Sequence, residues 1–156
     1  MEKASVRLGN MQVAELKLVY KSMVRASERE KINSSRKAYE IFLQYWNEEH
    51  IELLEEAKVL LLNRANKVLG IYELSIGGST GTIVDPRVVF SVALKANACA
   101  IILAHNHPSS NLKPSQADMA LTRRIRQGGE LLEIQLLDHL IVTPEGYYSF
   151  ADEGAL

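Results

Sequence analysis

The segment HNHPSSNLKPSQAD at 105–118 concentrates side chains that bind and activate small ligands. If His105 and His107 lie at a strand end, their i, i+2 spacing turns both imidazoles to one side of the sheet, near enough to share an ion. Pro108 favours an extended backbone at His107, which supports that geometry. Seven residues lie between His107 and Ser115, and two between Ser115 and Asp118. On a helix this places the carboxylate one turn from Ser115 and on the same face. Two imidazoles and a carboxylate make the donor set of an open zinc site, with a fourth tetrahedral position left for water. Ser-x-x-Asp before an apolar helix is also a capping box. The two roles are compatible, because one carboxylate oxygen can ligate while the other accepts an amide hydrogen bond. Neither pair says much alone. Two histidines after an apolar run, a proline at the exit and an acid at one-turn spacing, all within 14 residues, point together to metal.

A zinc site lowers the pKa of its water to about 7, and a nearby base must carry the proton to a leaving group. Glu55 and Glu56, just ahead of AKVLLLN at 57–63, are the candidates. Neighbouring strand residues face opposite sides, so only one can look into the site, and periodicity does not choose between them. Asp138 and His139 form another polar pair near a strand end. Burial with backbone partners is the expectation for both, and orientation of a metal ligand is the alternative. His50 receives no role. Imidazole and carboxylate donors also accept Fe, Mn or Co, so the donor types alone do not name the metal.

These groups need a scaffold. VAELKLVY at 13–20 is β-prone and reads as an edge strand or arm. KSMVRASEREKINSSRK at 21–37 carries six cations against two anions and reads as a solvated connector, with a basic surface for nucleic acid or protein as the alternative. Ser34 or Ser35 can cap a helix running to about Glu48, with Tyr39, Phe42, Tyr45 and Trp46 on one core-facing stripe. The runs at 57–63 and 67–78 form a hairpin. Gly77, Gly78 and Gly81 mark a mobile loop without a phosphate-loop ending. Asp85-Pro86 starts a helix. CAIILAHNH at 99–107 reads as a buried central strand. A helix from Ser115 is expected to end at Gly128-Gly129, and LLEIQLLDHLIVT then supplies one long or two short strands. A turn at 144–146 leads into YYSF as the last strand. This order predicts an α/β sandwich with a mixed β-sheet flanked by helices.

The composition fits one ordinary globular unit: 156 residues, 47% hydrophobic and 24% charged. At this size a core needs no structural metal or disulfide, so a metal here would be functional. Lys plus Arg number 18 and Asp plus Glu 19, a net charge of -1 that provides no global field for a polyanion. The single cysteine, Cys99, is expected to be a buried small hydrophobe. No apolar stretch is long enough for a signal peptide or a membrane span, so a cytoplasmic location without membrane association is expected.

The spacing Glu...His-x-His-x7-Ser-x2-Asp resembles the JAMM signature of the JAB/MPN metalloenzyme domain, and within that group the chain resembles the bacterial RadC-like proteins. His105, His107, Ser115 and Asp118 match without gaps. The likeness runs from about Glu55 to Leu156 and includes LNRANKVLG, DPR at 85–87, NACAIILAHNHP, PSQAD, LLDHLIV and YYSFADEG. It implies a cytidine deaminase-like sandwich over residues 51–156, preceded by an arm, basic connector and helix over 1–50. It also implies a zinc-dependent hydrolase of peptide or isopeptide-like bonds, with one Zn2+ per chain held by His105, His107 and Asp118. Glu55 would be the general base, with Glu56 as the fallback, and Ser115 would hydrogen-bond the oxyanion or the water. The other class of function is a DNA-repair accessory or protein-interaction module with a vestigial or structural metal site. Ser110 stands where the family's loop usually has Gly, and Ala57 where an aromatic residue is usual. The helix-hairpin-helix segment of longer relatives has no counterpart in residues 1–50, which removes the most direct support for a DNA role.

Overall fold

A computed structural model describes residues 5–8, 11–77 and 84–156. In chain order the elements are β1 (Ser5–Leu8), β2 (Met11–Ala14), α1 (Ser35–Tyr45), β3 (Glu56–Leu62), β4 (Val68–Ile76), α2 (Pro86–Lys95), β5 (Ala100–Asn106), α3 (Gln116–Leu132), β6 (Gln135–Thr143) and β7 (Gly146–Ser149). β1 and β2 form a separate antiparallel pair, and the other five strands form one mixed sheet ordered β4-β3-β5-β6-β7. Only β5 and β6 run parallel in it, because α3 carries the chain back across the sheet between them.

Side-chain alternation divides the central strands between two cores. Leu60, Leu62, Ile102, Ala104 and Leu140 pack with Tyr39 and Phe42 of α1. Val59, Leu61, Ile101 and Leu103 pack with Val89 and Phe90 of α2 and Ile125 of α3. β5 is buried along its whole length, as a central strand covered on both faces should be. Each fully buried Leu or Ile contributes roughly 1.5–3 kcal/mol relative to exposure.

Local chemistry sets the element boundaries. Ser34 caps α1 by accepting the Lys37 N–H at 3.2 Å, and Asp85 caps α2 by accepting the Arg87 N–H at 2.9 Å. α1 stops at Tyr45 instead of Glu48, where Asn47 Oδ1 accepts the Glu49 N–H and favours a turn. Tyr39, Phe42 and Trp46 are buried while Tyr45 is 61% exposed; residues 45 and 46 sit about 100° apart on a helix and cannot share one stripe.

Other expectations need correction. α3 continues through Gly128 and Gly129 to Leu132, and the left-handed stop falls at Glu133 with φ of 56°. The glycines serve packing: a Cβ at Gly129 would sit 2.1 Å from the Ile134 carbonyl oxygen, and one at Gly128 2.7 Å from the Phe90 ring. Residues 131–132 are therefore helical, and β6 is one long strand. The strand expected over 13–20 does not form beyond Ala14, and Leu16, Leu18 and Val19 stay exposed; among the described residues that stretch has no ladder partner for its backbone groups. The 21–37 segment is mostly exposed, as expected of a solvated connector, and is tied to the sheet at one point, with the Ile32 N–H donating to Asn66 and the Val68 N–H donating to Glu30. Cys99 is only partly buried. Gly78 and Gly81 lie outside the described residues. No helix among the described residues is long and apolar enough to cross a membrane.

Candidate metal centre

The site forms where β5 ends. The antiparallel register sets Ala57 of β3 against His105 of β5, and continuing it two residues back brings Glu55, just ahead of β3, abreast of His107. The crossover into α3 must start above this end of β5, and the first turn of α3 carries Asp118 there. His105 is buried as the penultimate residue of β5, and His107 follows just beyond the strand. Their Nε2 atoms are 3.0 Å apart. Asp118 Oδ1 is 3.2 Å from His105 Nε2, and Oδ2 is 3.3 Å from His107 Nε2. Ligands of a tetrahedral ion with bonds of about 2.0–2.1 Å stand roughly 3.3 Å apart. The three side chains are thus spaced as ligands to one small ion would be.

Of the two acids, Glu55 is the one that joins them. Glu55, His105 and His107 offer donor atoms all within 4.8 Å of one another and could hold a metal ion. The Gly77 N–H holds the Glu55 carbonyl at 2.8 Å. Glu56 lies on the opposite face, buried against Lys58 Nζ at 3.3 Å and His50 Nδ1 at 3.1 Å. His50, which has no legible role in the sequence, is therefore a partner of this buried acid. A cavity of about 30 Å³ between Glu55, Ala57, His105 and Asp118 has room for one water-sized group.

Ser115 and Asp118 do form the capping box. Ser115 Oγ accepts the Asp118 N–H at 3.0 Å, and Asp118 Oδ2 accepts the Ser115 N–H at 2.8 Å. This fixes the carboxylate while Oδ1 stays directed at His105. Burial pushes the Asp118 carboxyl up, but its contacts with His105 and His107 and the Ser115 N–H outweigh this and hold it well below the usual carboxylate range. The hydrogen bond with Asp118 raises His107 above the ordinary imidazole value, against the opposing effect of burial. His107 Nδ1 donates to the Asn111 carbonyl, so a neutral His107 presents a bare Nε2 to the site.

Asp138 and His139 divide the two readings between them. Asp138 follows the backbone-satisfied expectation: its carboxylate accepts the His139 N–H at 2.7 Å, the Ala151 N–H at 3.0 Å and the Ser149 O–H at 2.6 Å. Burial nonetheless raises its pKa. The His139 side chain departs from it, because its Nε2 lies 2.8 Å from His105 Nδ1 and its Nδ1 lies 2.7 Å from Thr122 Oγ1. Burial, then the neighbouring His105, drives its pKa well below the ordinary value. Thr122 and Asn106 have no separate signal in the sequence, although Thr122 is one helical turn beyond Asp118 and Asn106 is a polar residue in an apolar strand.

A family model described as RadC-like JAB domain matches residues 32–155. The chain belongs to this family. The match begins ahead of α1, whose buried face is part of the same core as the sheet. A UPF0758 protein of Flavobacterium johnsoniae is 46% identical over 152 residues, covering 97% of this chain and 61% of its own length. One from Thermotoga maritima is 38% identical over 154 residues, covering 99% and 64% respectively. A third, from Porphyromonas gingivalis, is 43% identical over 129 residues, covering 82% and 56%. The chain thus spans about three-fifths of the length of these RadC-like relatives. In the loop between His107 and Ser115, Ser110 adopts φ of 63°, a left-handed conformation that glycine reaches without steric cost.

Proposed function

We propose that this RadC-like domain is a zinc-dependent hydrolase of peptide or isopeptide-like bonds, with one ion held by His105, His107 and Asp118 and with Glu55 as general base. One observation carries the reading: the donor atoms of His105, His107 and Asp118 converge to 3.0–3.3 Å, with Glu55 beside them. Asp118 reaches both imidazoles and supplies the third ligand, which leaves Glu55 for proton transfer. When bound, the ion supplies Lewis acidity, making water a stronger nucleophile near neutral pH and polarising a carbonyl. Glu55 accepts a proton from the attacking water as its oxygen bonds to the carbonyl carbon. It then delivers that proton to the nitrogen as the C–N bond breaks. Ser115 accepts the Asp118 N–H, which leaves its own O–H available to donate to the carbonyl oxygen as negative charge develops.

Metal content and hydrolysis of a panel of peptide and isopeptide substrates test this reading. The wild-type chain is expected to carry one Zn2+ and to turn over. His107→Ala should lose the ion, and Glu55→Gln should keep it without turnover. A chain that binds zinc but hydrolyses nothing on the panel would overturn the enzyme reading. Salt-sensitive DNA binding through residues 21–37, indifferent to both substitutions, would replace it with the accessory role.

A further inference from the structure

We propose that Thr122 and His139 are positioning residues that hold His105 in its Nδ1–H tautomer and leave His105 Nε2 bare for a divalent cation. The inference rests on the metal-site reading above and adds to it the device that prepares one of the ligands.

Proton counting along a buried chain of hydrogen bonds supplies the argument. The Thr122 hydroxyl has one proton and lies 2.8 Å from the Asp118 main-chain carbonyl. A carbonyl oxygen only accepts, so the proton is spent there. Thr122 Oγ1 must then accept from its other partner, His139 Nδ1, at 2.7 Å. His139 is buried, and among the described residues its ring nitrogens meet only a hydroxyl and another imidazole, with no carboxylate to balance a second proton; it therefore has a single N–H, and that N–H is now assigned. His139 Nε2 is left as an acceptor for His105 Nδ1–H at 2.8 Å. A neutral His105 therefore has no proton on Nε2.

The polarity has a consequence inside the site. His107 Nδ1 donates to the Asn111 carbonyl, so both Nε2 atoms, 3.0 Å apart, present lone pairs beside the Asp118 carboxylate. Such an arrangement calls for a cation among them. If the Thr122 proton pointed to His139, every bond in the chain would reverse. His105 would then carry a proton on Nε2, inside the site. One hydroxyl on α3 thus decides what the site offers.

The middle of the relay is held from two further sides. The His139 ring stacks on Phe150, with centroids 4.7 Å apart and planes 12° from parallel. The Phe150 N–H donates to the His139 carbonyl at 3.0 Å, and Asp138 secures the same turn through Ser149 and Ala151. This arrangement restricts ring rotation at His139, which would break both of its hydrogen bonds.

The test uses Thr122→Val, which keeps the shape of the side chain and removes its hydroxyl. Long-range 1H–15N spectra of the metal-free chain at alkaline pH read the tautomer of each histidine, and competition with a chelator reads the affinity for Zn2+. His105 is expected as Nδ1–H in the wild type. T122V leaves the His139 Nδ1–H without an acceptor, and His105 is expected to change to the Nε2–H form. Zn2+ affinity should fall about 10–100-fold, the usual effect of removing a partner of a ligand, and Thr122→Ser should restore both readouts. His139→Leu removes the acceptor directly and should produce mixed tautomers at His105 with a similar loss, which keeps the test open if T122V folds poorly. A wild-type His105 protonated on Nε2, or a T122V chain with unchanged tautomer and affinity, overturns the proposal. Tautomers that behave as expected in a chain that binds no Zn2+ would uphold the relay and count against the hydrolase reading instead.

Discussion

Asn106, the residue between the two histidines, accepts the backbone N–H of Glu56 at 2.7 Å and donates to the carbonyls of Ile51 and Leu54 at 2.7 and 2.8 Å. Strand alternation turns it away from the site, so the same three-residue run presents the imidazoles on one face and anchors the turn carrying Glu55 on the other. Asn106→Ala would strand one buried N–H and two carbonyls. At about 1–3 kcal/mol for each unsatisfied group, less what water recovers, the expected loss is about 2–5 kcal/mol. Urea unfolding measures it, and a change under about 1 kcal/mol would show that Asn106 does not hold this turn.

Ser115 is given two roles that substitutions can separate. As an N-cap, its replacement by Ala should cost about 1 kcal/mol and by Gly only a few tenths. As a donor to the substrate carbonyl, it should be missed equally in both variants, by about 10²–10³ in turnover. Thermal unfolding and hydrolysis rates, measured on S115A and S115G together, distinguish the roles. Activity that followed stability would leave Ser115 as a cap alone.

The legible part of this protein was its local chemistry. Capping at Ser34 and Asp85, the hairpin of β3 and β4, and the both-sided burial of β5 all follow from short-range pattern, and the structure has each of them. Groups dependent on long-range packing were not legible. Gly128 and Gly129 read as a helix stop because the sequence does not show Phe90 and Ile134 approaching them. His139 read as a backbone-satisfied residue because Thr122 and His105 meet it only after α3 folds over the sheet. The choice between Glu55 and Glu56 needed the register of β3 against β5, which the strand's own sequence cannot supply.

Ser110 carries strain that glycine would relieve. A non-glycine residue at φ of 63° costs about 1–2 kcal/mol, while glycine gives back about 0.5–1 kcal/mol through the entropy of the unfolded chain. Ser110→Gly should therefore stabilise the protein by up to about 1.5 kcal/mol, read as an upward shift in the thermal midpoint. Destabilisation would mean that the Ser110 side chain makes a contribution of its own.

The metal-free site should leave a mark on stability against pH. Asp118 is held below its ordinary value of 3.8, so its contribution is present above that value and is lost as pH falls through the lower folded value. His107 is raised above 6.5, so its contribution is complete below 6.5 and is lost as pH rises through the folded value. Buried His139, lowered from 6.5, acts in the opposite sense and destabilises the fold as pH falls. Comparing the wild type with His107→Gln cancels most of the His139 effect, because its largest causes, burial and His105, are shared by both. The stability gap between them should be full between pH 3.8 and 6.5 and shrink as pH rises through the higher folded value of His107; a gap that widens with alkalinity would contradict the pairing of His107 with Asp118.

Zinc should also act as a stabilising ligand, because the three proposed ligands, though close in sequence, come from three different pieces of the fold. His105 is the penultimate residue of β5, His107 opens the following loop and Asp118 lies in α3, so an ion across them cross-links the crossover to the sheet and is held more tightly than by the same residues in the unfolded chain. Free Zn2+ at 100 times its dissociation constant should add about 2.7 kcal/mol to stability. Asp118→Asn keeps the size of the side chain but removes the charge, and should forfeit most of that increment. Glu55→Gln should keep it, since Glu55 is assigned to proton transfer and not to ligation. Thermal unfolding of the three proteins with and without Zn2+ decides the matter. If E55Q loses the zinc-dependent shift while D118N retains it, the third ligand is Glu55, and the proposed base must be sought elsewhere.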